Sequence, residues 1–416
     1  MARTFTPKDA HALMNALVYQ ATGQHDLSVI DTSTFIDAGS TVLATGNENV
    51  LNAISILIGK TVIAARAYTG KFNLIQATEE AYGIRFRKIS YYSKVNTASG
   101  MYNTDLYTNL APGLSDTDGV GSMWEQDPAI PVQMDFYSEI AYDKRWTTYP
   151  EQLKVAFRDE TEFIKFMNGA LTEIRNDLES NKEATSRMLV CDRICGVKKQ
   201  VDDGDLDPRC SVNMTTAFNN EFGTNYTTNE IIQEHIDDFL KYWTARIKID
   251  SDRMTDRTVA YHDAKATTIN NIDHALLRHT PKEFQRFIYY KPFFTMARTT
   301  VLPNIFNPEY LPETAGEGIN YWQSFNEPTK IAYKPSLPEQ AESADVEMDL
   351  VLGILYDVDA LMIQNQFEGA YTTPINTRHV YQNTDIHFKF GMINDYTENS
   401  IIYYMADEES SEDDNT

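Results

Sequence analysis

The sequence predicts an α+β fold, and three features carry that expectation. Residues 159–195 hold helical periodicity over a stretch far longer than an ordinary helix. Two other stretches alternate at a strand's period of two. In one, Val132, Met134 and Phe136 alternate with Gln133, Asp135 and Tyr137; in the other, Ile386, Phe388, Phe390 and Met392 alternate with His387, Lys389 and Gly391. The third feature is negative: there is no tandem repeat and no regular βαβ alternation.

From the start of the chain, Thr6 is placed to cap a helix with Pro7 at its first position. Leu13, Met14, Leu17 and Val18 give that helix a short apolar face. A polar stretch, 25–46, leads to a second short helix over 47–58, with Val50, Leu51, Ile54 and Leu57 on one side and Gly59 at its end. Segments this short cannot bury their own apolar faces, so they need the main body or another chain.

Residues 60–150 change character. A strand opens at Thr61, and 84–92 is extended, with Arg85, Arg87 and Lys88 among Ile, Phe and Tyr. Residues 97–123 are rich in Ser, Thr, Asn, Asp and Gly. The half-buried strand at 132–136 follows. Two extended arms around a polar tip describe a long hairpin, and loops of that length are usually functional.

The long helix comes next. Phe163, Met167, Ala170, Ile174 and Leu178 fall on one face. Asp159 and Glu162 have the form of a capping box, and Gly196 is a plausible stop. Unbroken, it would be roughly 55 Å long at about 1.5 Å per residue. A break near Glu179, Ser180 and Asn181 is the alternative, leaving a core helix instead of a spine.

An acidic turn, 202–208, follows. Thr227 and Glu230 form a second capping box, leading Ile231, His235, Phe239, Leu240, Trp243 and Ile247 at helical spacing. Residues 286–296 read as an aromatic strand and 302–338 as a proline-rich loop. Residues 350–356 form a hydrophobic strand bounded by acidic residues, 401–404 a last apolar run, and 407–414 an acidic tail read as disordered.

The chain has 416 residues, 42% hydrophobic and 12% aromatic, enough for a large core and two or three regions. Its formal charge of −24 repels polyanions, which argues against sequence-specific nucleic-acid binding. No apolar run reaches membrane-spanning length. With no secretory signal expected, Cys191, Cys195 and Cys210 read as reduced thiols.

No catalytic, cofactor or metal constellation stands up, so an enzyme is not expected. Cys191 and Cys195 share a helix face, but a zinc site wants a second pair. Asp203, Asp205 and Asp207 alternate like a calcium loop, yet Pro208 stands at the required glycine and Met214 at the bidentate glutamate. Gly119 and Gly121 lack the third glycine of a dinucleotide loop. No phosphate-binding loop or nucleophile elbow is present. His274 and His279 are spaced wrongly for one helical face. The one candidate interaction group is Arg85, Arg87 and Lys88. It reads equally as a solvated strand edge and as a basic strip that docks on an acidic neighbour.

The order of the pieces now matters more than any motif. A short arm, a long two-stranded loop, a long helix, a separate α/β region and a returning strand together resemble the Hong Kong 97-type major capsid protein of tailed bacteriophages. The run Trp146-Thr-Thr-Tyr-Pro-Glu-Gln-Leu-Lys-Val-Ala-Phe is similar to the loop exit in short-tailed phage capsid proteins. Residues 350–363, with Tyr356-Asp-Val-Asp-Ala-Leu, are similar to their strand and turn back into the peripheral domain, and 386–392 to their closing strand.

The resemblance implies an N-terminal arm over 1–65, an E-loop hairpin over 66–150 and a peripheral domain with a spine helix over 151–214. An axial domain over 215–365, return strands over 366–405 and an acidic tail over 406–416 complete it. It implies self-assembly into pentamers and hexamers of an icosahedral shell that encloses double-stranded DNA. Scaffolding would be a separate protein, beside a portal protein and minor capsid proteins; assembly would take place in the host cytoplasm and end in the virion. No lysine–asparagine cross-link can be assigned. The alternatives are a soluble acidic enzyme without a recognisable motif and an encapsulin-like protein nanocompartment.

Overall fold

One helix, α1 (Glu160–Asp202), runs for 43 residues in the computed structural model, about 65 Å at about 1.5 Å per residue. The structure describes residues 71–72, 75–79, 86–94, 130–136, 139–149, 160–263, 267–269, 272–300, 315–337 and 344–407, with single positions between 12 and 38. Several expectations lie outside these residues: the Thr6 cap, the 47–58 helix, the Thr61 strand, the 97–123 tip, the Asp159 cap, and the tail beyond Asp407. So do the side chains of Phe163, Met167 and Ala170. Met14 and Val18 are helical and buried.

The helix passes Glu179, Ser180 and Asn181 without a break. It also continues past Gly196, against the expected stop. The closing glycine is Gly204 instead, at φ +81°, a left-handed conformation that costs glycine little. Carbonyls of the last turn are taken up there, by Asp203 N–H to Lys199 O (2.9 Å) and Asp205 N–H to Gln200 O (2.8 Å). Lys198 pairs with Asp202 and Lys199 with Asp203, each at i,i+4 spacing. Gly196 answers a packing demand: a Cβ there would lie 2.6 Å from Tyr396 Cζ.

The chain divides into two compact units. The first comprises Met1–Arg85, Tyr137–Val190 and Leu361–Ile393. Its sheet has the order β1 (Gln76–Glu79), β14 (Leu361–Thr372), β15 (Gln382–Asn394), β5 (Ile140–Thr148). β1 runs parallel to β14, and β5 antiparallel to β15 from Thr148↔Gln382 to Ile140↔Phe390. β15 is the alternating strand the sequence indicates, with Ile386, Phe388 and Phe390 buried, but the alternation slips at Gly391: Met392, expected on the buried face, is half-buried, and Ile393 is buried in its place. This face of the sheet meets the helix: the Lys182 ammonium lies 5.6 Å from the Phe390 ring centre of β15, and the Tyr142 hydroxyl of β5 lies 3.3 Å from that of Thr185. Arg145 with Asp385 (2.6 Å) and Lys389 with Glu139 (2.7 Å) link the polar side.

The second unit comprises Phe86–Phe136, Cys191–Ala360 and Asn394–Thr416. Its five-stranded sheet runs β10 (Ala315–Ile319), β9 (Gln285–Tyr290), β13 (Leu350–Asp357), β16 (Ser400–Met405), β6 (Ser211–Asn213). β13 is the expected hydrophobic strand. It lies between antiparallel β9 and β16 and is buried on both faces, which explains its unbroken apolar run. Over the sheet pack α2 (Met214–Phe222), α3 (Thr228–Glu234), α4 (Ile236–Arg253) and α5 (Lys291–Thr300). Phe239, Trp243 and Phe293 meet at ring-centre distances of 5.9 to 6.5 Å in this core.

Three expectations are corrected in this unit. The Thr227–Glu230 capping box is present, but the helix it starts ends at His235, which stacks on Tyr226 at 4.2 Å, and α4 begins afresh. The 286–296 strand is β9 followed by α5. Pro292 sits in that helix's first turn, where a missing N–H costs nothing, and Phe293 turns into the core. The 302–338 loop contains β10 and β11 (Ile331–Tyr333), and β11 pairs with β12 (Val346–Met348). Smaller pairings are β2 (Phe86–Tyr91) with β4 (Pro131–Phe136), and β3 (Ser93–Lys94) with β8 (Ile272–Ala275), which also pairs with β7 (Thr267–Ile269).

All three cysteines are buried and unpaired with one another. Their thiols point at carbonyls: Cys191 at Trp322, Cys195 at Val346, Cys210 at Ala260. Among the described residues no group of three His, Cys, Asp or Glu could hold a metal ion, and no helix is long and apolar enough to cross a membrane.

Candidate functional site

The β2–β4 ribbon carries two of the three basic residues singled out in the sequence. Its register sets Arg87 opposite Asp135, Lys88 opposite Met134, Ile89 opposite Gln133, and Tyr91 opposite Pro131. Successive side chains of a strand point to opposite faces. Arg87, Ile89 and Tyr91 therefore share an outward face, and Ile89 and Tyr91 are 54% and 60% exposed. On that face Arg87 Nε reaches Asp135 Oδ1 at 3.2 Å, and Gln133 donates to the same carboxylate at 3.0 Å. Arg85 lies outside the described residues.

Lys88 and Ser90 take the opposite phase and turn inward. The Lys88 ammonium lies 2.5 Å from Asp395 Oδ2 and 2.5 Å from Glu398 Oε1. Arg278 approaches from the chain after β8: its Nη2 is 3.3 Å from Glu398 and donates to Ser90 Oγ at 2.8 Å. Its Nε donates to Thr397 O at 3.2 Å. Two cations and two carboxylates so close a four-residue charge network on the inner side of β2.

The turn 394–400 that presents these carboxylates is fixed from several directions. Asp395 Oδ1 accepts from the Thr397 amide (2.9 Å) and hydroxyl (2.7 Å), closing an Asx-type turn. Arg193 of α1, almost wholly buried, donates to Glu398 O (2.8 Å), Ser400 Oγ (2.8 Å) and Asn394 Oδ1 (3.2 Å) and lies 4.7 Å from the Tyr396 ring centre. Asn394 donates to Asp192 Oδ2 at 2.7 Å. His262 meets Asn399 Oδ1 at 2.9 Å and Leu276 O at 2.7 Å, while Thr280 bridges Asn399 and Asp357.

The electrostatics of the turn are uneven. Burial pushes the Asp395 carboxyl up, but the Lys88 ammonium and the hydrogen bonds from Lys88 and Thr397 outweigh it and hold it below its ordinary value. Burial dominates at Glu398 and lifts its carboxyl despite Lys88 and Arg278. Asp357 is likewise raised by burial. Nothing in this arrangement offers a nucleophile beside a base.

Sequence reasoning grouped Lys88 with its two arginine neighbours. The structure gives it an intramolecular role on the other face. Asp395, Glu398 and Arg278 went unnoticed, since they are separated from β2 by up to 310 positions and form no local pattern. The available signal was strand phase, which already sets Arg87 and Lys88 on opposite sides.

Residues 14–404 match the model of the family described as Phi29-like phage major capsid protein. The chain belongs to that family. This capsid protein is thus a structural component of a phage virion, and neither the enzyme nor the nanocompartment reading is favoured. No curated protein matches it significantly. Its fold is similar to a chain in the capsid structure of Staphylococcus phage Andhra, at 11% identity and a TM-score of 0.51, over 82% of this chain and 86% of the other. It is also similar to a chain in the structure of head fiber and inner core protein gp22 of native bacteriophage P68, at 10% identity and a TM-score of 0.50, over 82% and 86%. At such identities the likeness concerns the fold, a mixed helix-and-sheet capsid fold.

Proposed function

We propose that this capsid protein is of the Hong Kong 97 type, most like those of short-tailed phages, and builds pentamers and hexamers of an icosahedral shell around double-stranded DNA. The observation that carries this reading is the outward face of the β2–β4 ribbon. Ile89 and Tyr91 stand in water there, in a chain whose family builds capsids. A neighbouring copy would cover them, and Arg85 and Arg87 would orient the contact. The hairpin over 66–150 is the E-loop in this reading. The segment 1–65 is the N-terminal arm, 151–214 and 366–405 form the peripheral domain with α1 as its spine, and 215–365 is the axial domain. The acidic tail is 406–416.

Closed symmetry lets one sequence make many equivalent contacts, and contacts that are weak singly become stable through multivalency. The net charge of −24 keeps packaged DNA from adhering to the wall. Scaffolding, portal and minor capsid proteins are separate chains, assembly takes place in the host cytoplasm, and the protein performs no catalysis.

Deletion of residues 95–125 tests the hairpin. Expected are open sheets or unassembled subunits by electron microscopy; normal closed particles would remove the hairpin from the assembly mechanism. Charge reversal at Arg85 and Arg87 should shift the salt dependence of assembly, and an unchanged salt series would return both to a solvated edge.

A further inference from the structure

We propose that Lys88 is a positioning residue for assembly: it locks the inner side of the β2–β4 ribbon onto the turn 394–400, so that the outward face is presented in one orientation before a neighbour arrives. This inference rests on the reading of the ribbon as an intersubunit element.

The argument starts from strand phase. The ribbon has two strands, and a two-stranded hairpin is marginally stable alone in water. Something must hold it. The β3–β8 pairing holds its end and half-buried Val132 and Met134 share its inner face, and charge adds a specific anchor there: Lys88 to Asp395 and Glu398, each at 2.5 Å, with Arg278 donating to Ser90 at 2.8 Å. Lys88 is 19% exposed, Asp395 1% and Glu398 10%, so the contact is largely out of water and weakly screened by salt. The turn it grips is itself held by Arg193 and Asn394, so the lock ends on a rigid support.

The outward residues have a different character. Arg87 pairs with Asp135 across the strands with 60% of its side chain exposed, a contact that fixes nothing beyond the ribbon. Alternation thus divides the labour between faces, inner for anchoring and outer for contact. Pre-orientation lowers the ordering cost of association, so loosening the anchor weakens assembly without removing any intersubunit contact.

The test uses the full-length protein as wild type, Lys88→Met, Lys88→Arg and the charge-balanced double variant Lys88→Met/Glu398→Gln. In unassembled subunits, hydrogen exchange of 86–91 and 131–136 should speed up by about tenfold or more in Lys88→Met, the ratio set by losing a charged hydrogen bond. Exchange of 350–357 and 400–405 should stay as in wild type, closed particles should become rare, and Lys88→Arg should restore both readouts. The double variant, which leaves no unpaired carboxylate at 398, should also show the ribbon-specific change. Unchanged ribbon exchange in both Met-containing variants would overturn the proposal. Uniformly faster exchange in both would overturn it too, since it marks a merely structural role. A loosened ribbon with normal closed particles would refute the positioning role while leaving the hairpin reading to the 95–125 deletion.

Discussion

Gly196 of α1 lies directly against Tyr396: a Cβ added to the glycine would come within 2.6 Å of Tyr396 Cζ and 2.8 Å of Cε1. The ring cannot retreat freely. It covers the Arg193 guanidinium at 4.7 Å, and its hydroxyl lies 3.1 Å from Asn394 Nδ2 and 3.3 Å from the Asp192 carbonyl. A glycine inside a 43-residue helix is thus the space that lets the turn 394–400 close on the helix.

Gly196→Ala separates two effects by sign. Helix propensity alone would stabilise by about 1 kcal/mol. The clash with Tyr396 instead predicts a loss of about 1–3 kcal/mol, as for overpacked cores. Urea denaturation reads the difference, and a raised midpoint would refute the steric account.

Arg193 is nearly inaccessible to water and satisfies acceptors on Asn394, Glu398 and Ser400. Leaving a buried acceptor unsatisfied typically costs about 1–3 kcal/mol, and Arg193→Ala, which strands acceptors on three residues, should lose about 3 kcal/mol or more. Arg193→Lys should recover little, because one ammonium cannot reproduce the planar fork. Full recovery by lysine in chemical denaturation would contradict this.

How much of this was readable from the sequence depends on whether the cause was local. The β13 and β15 strands announced themselves because burial on two faces or one writes a continuous or alternating apolar pattern. The Thr227–Glu230 capping box was equally legible, since its hydrogen bonds join residues three apart. Gly196 misled because its partner is 200 positions away and leaves no local trace. β9 and α5 merged for a related reason: the aromatic run from Phe287 to Phe294 serves both the sheet and the helix above it, so composition did not change where the backbone did. The charge network around Lys88 leaves no local trace, since its members lie up to 310 positions apart and Arg87 and Lys88, adjacent in sequence, point to opposite faces.

His262 gives the fold a pH dependence with a definite sign. Burial lowers its affinity for a proton, against the hydrogen-bonding partners Leu276 and Asn399. The folded value lies below the unfolded one of about 6.5, so the unfolded chain binds the proton first. Stability should therefore fall as pH drops below about 6.5, by at most about 1.4 kcal/mol per pH unit from this residue, until the folded value is passed. The difference between wild type and His262→Gln isolates the contribution; parallel stability curves through that window would exclude it.

The cysteines should be inert in the native protein. Burial drives the Cys195 thiol far up and Cys210 up to about 12, so little thiolate forms at pH 8. A thiol reagent should label none of the three before unfolding and all three after it. Stoichiometric labelling of native subunits would contradict the burial of Cys191 and Cys195 in α1 or of Cys210 beyond it.

The central claim is that these subunits close into a shell, and electron microscopy of the purified protein after assembly tests it most directly. The account predicts closed particles whose reconstruction shows copies of this chain in fivefold and sixfold rings, with the outward face of the β2–β4 ribbon, Ile89 and Tyr91, covered by a neighbouring copy. Particles in which that face stays open to solvent, or a population of monomers and dimers at every concentration, would contradict it.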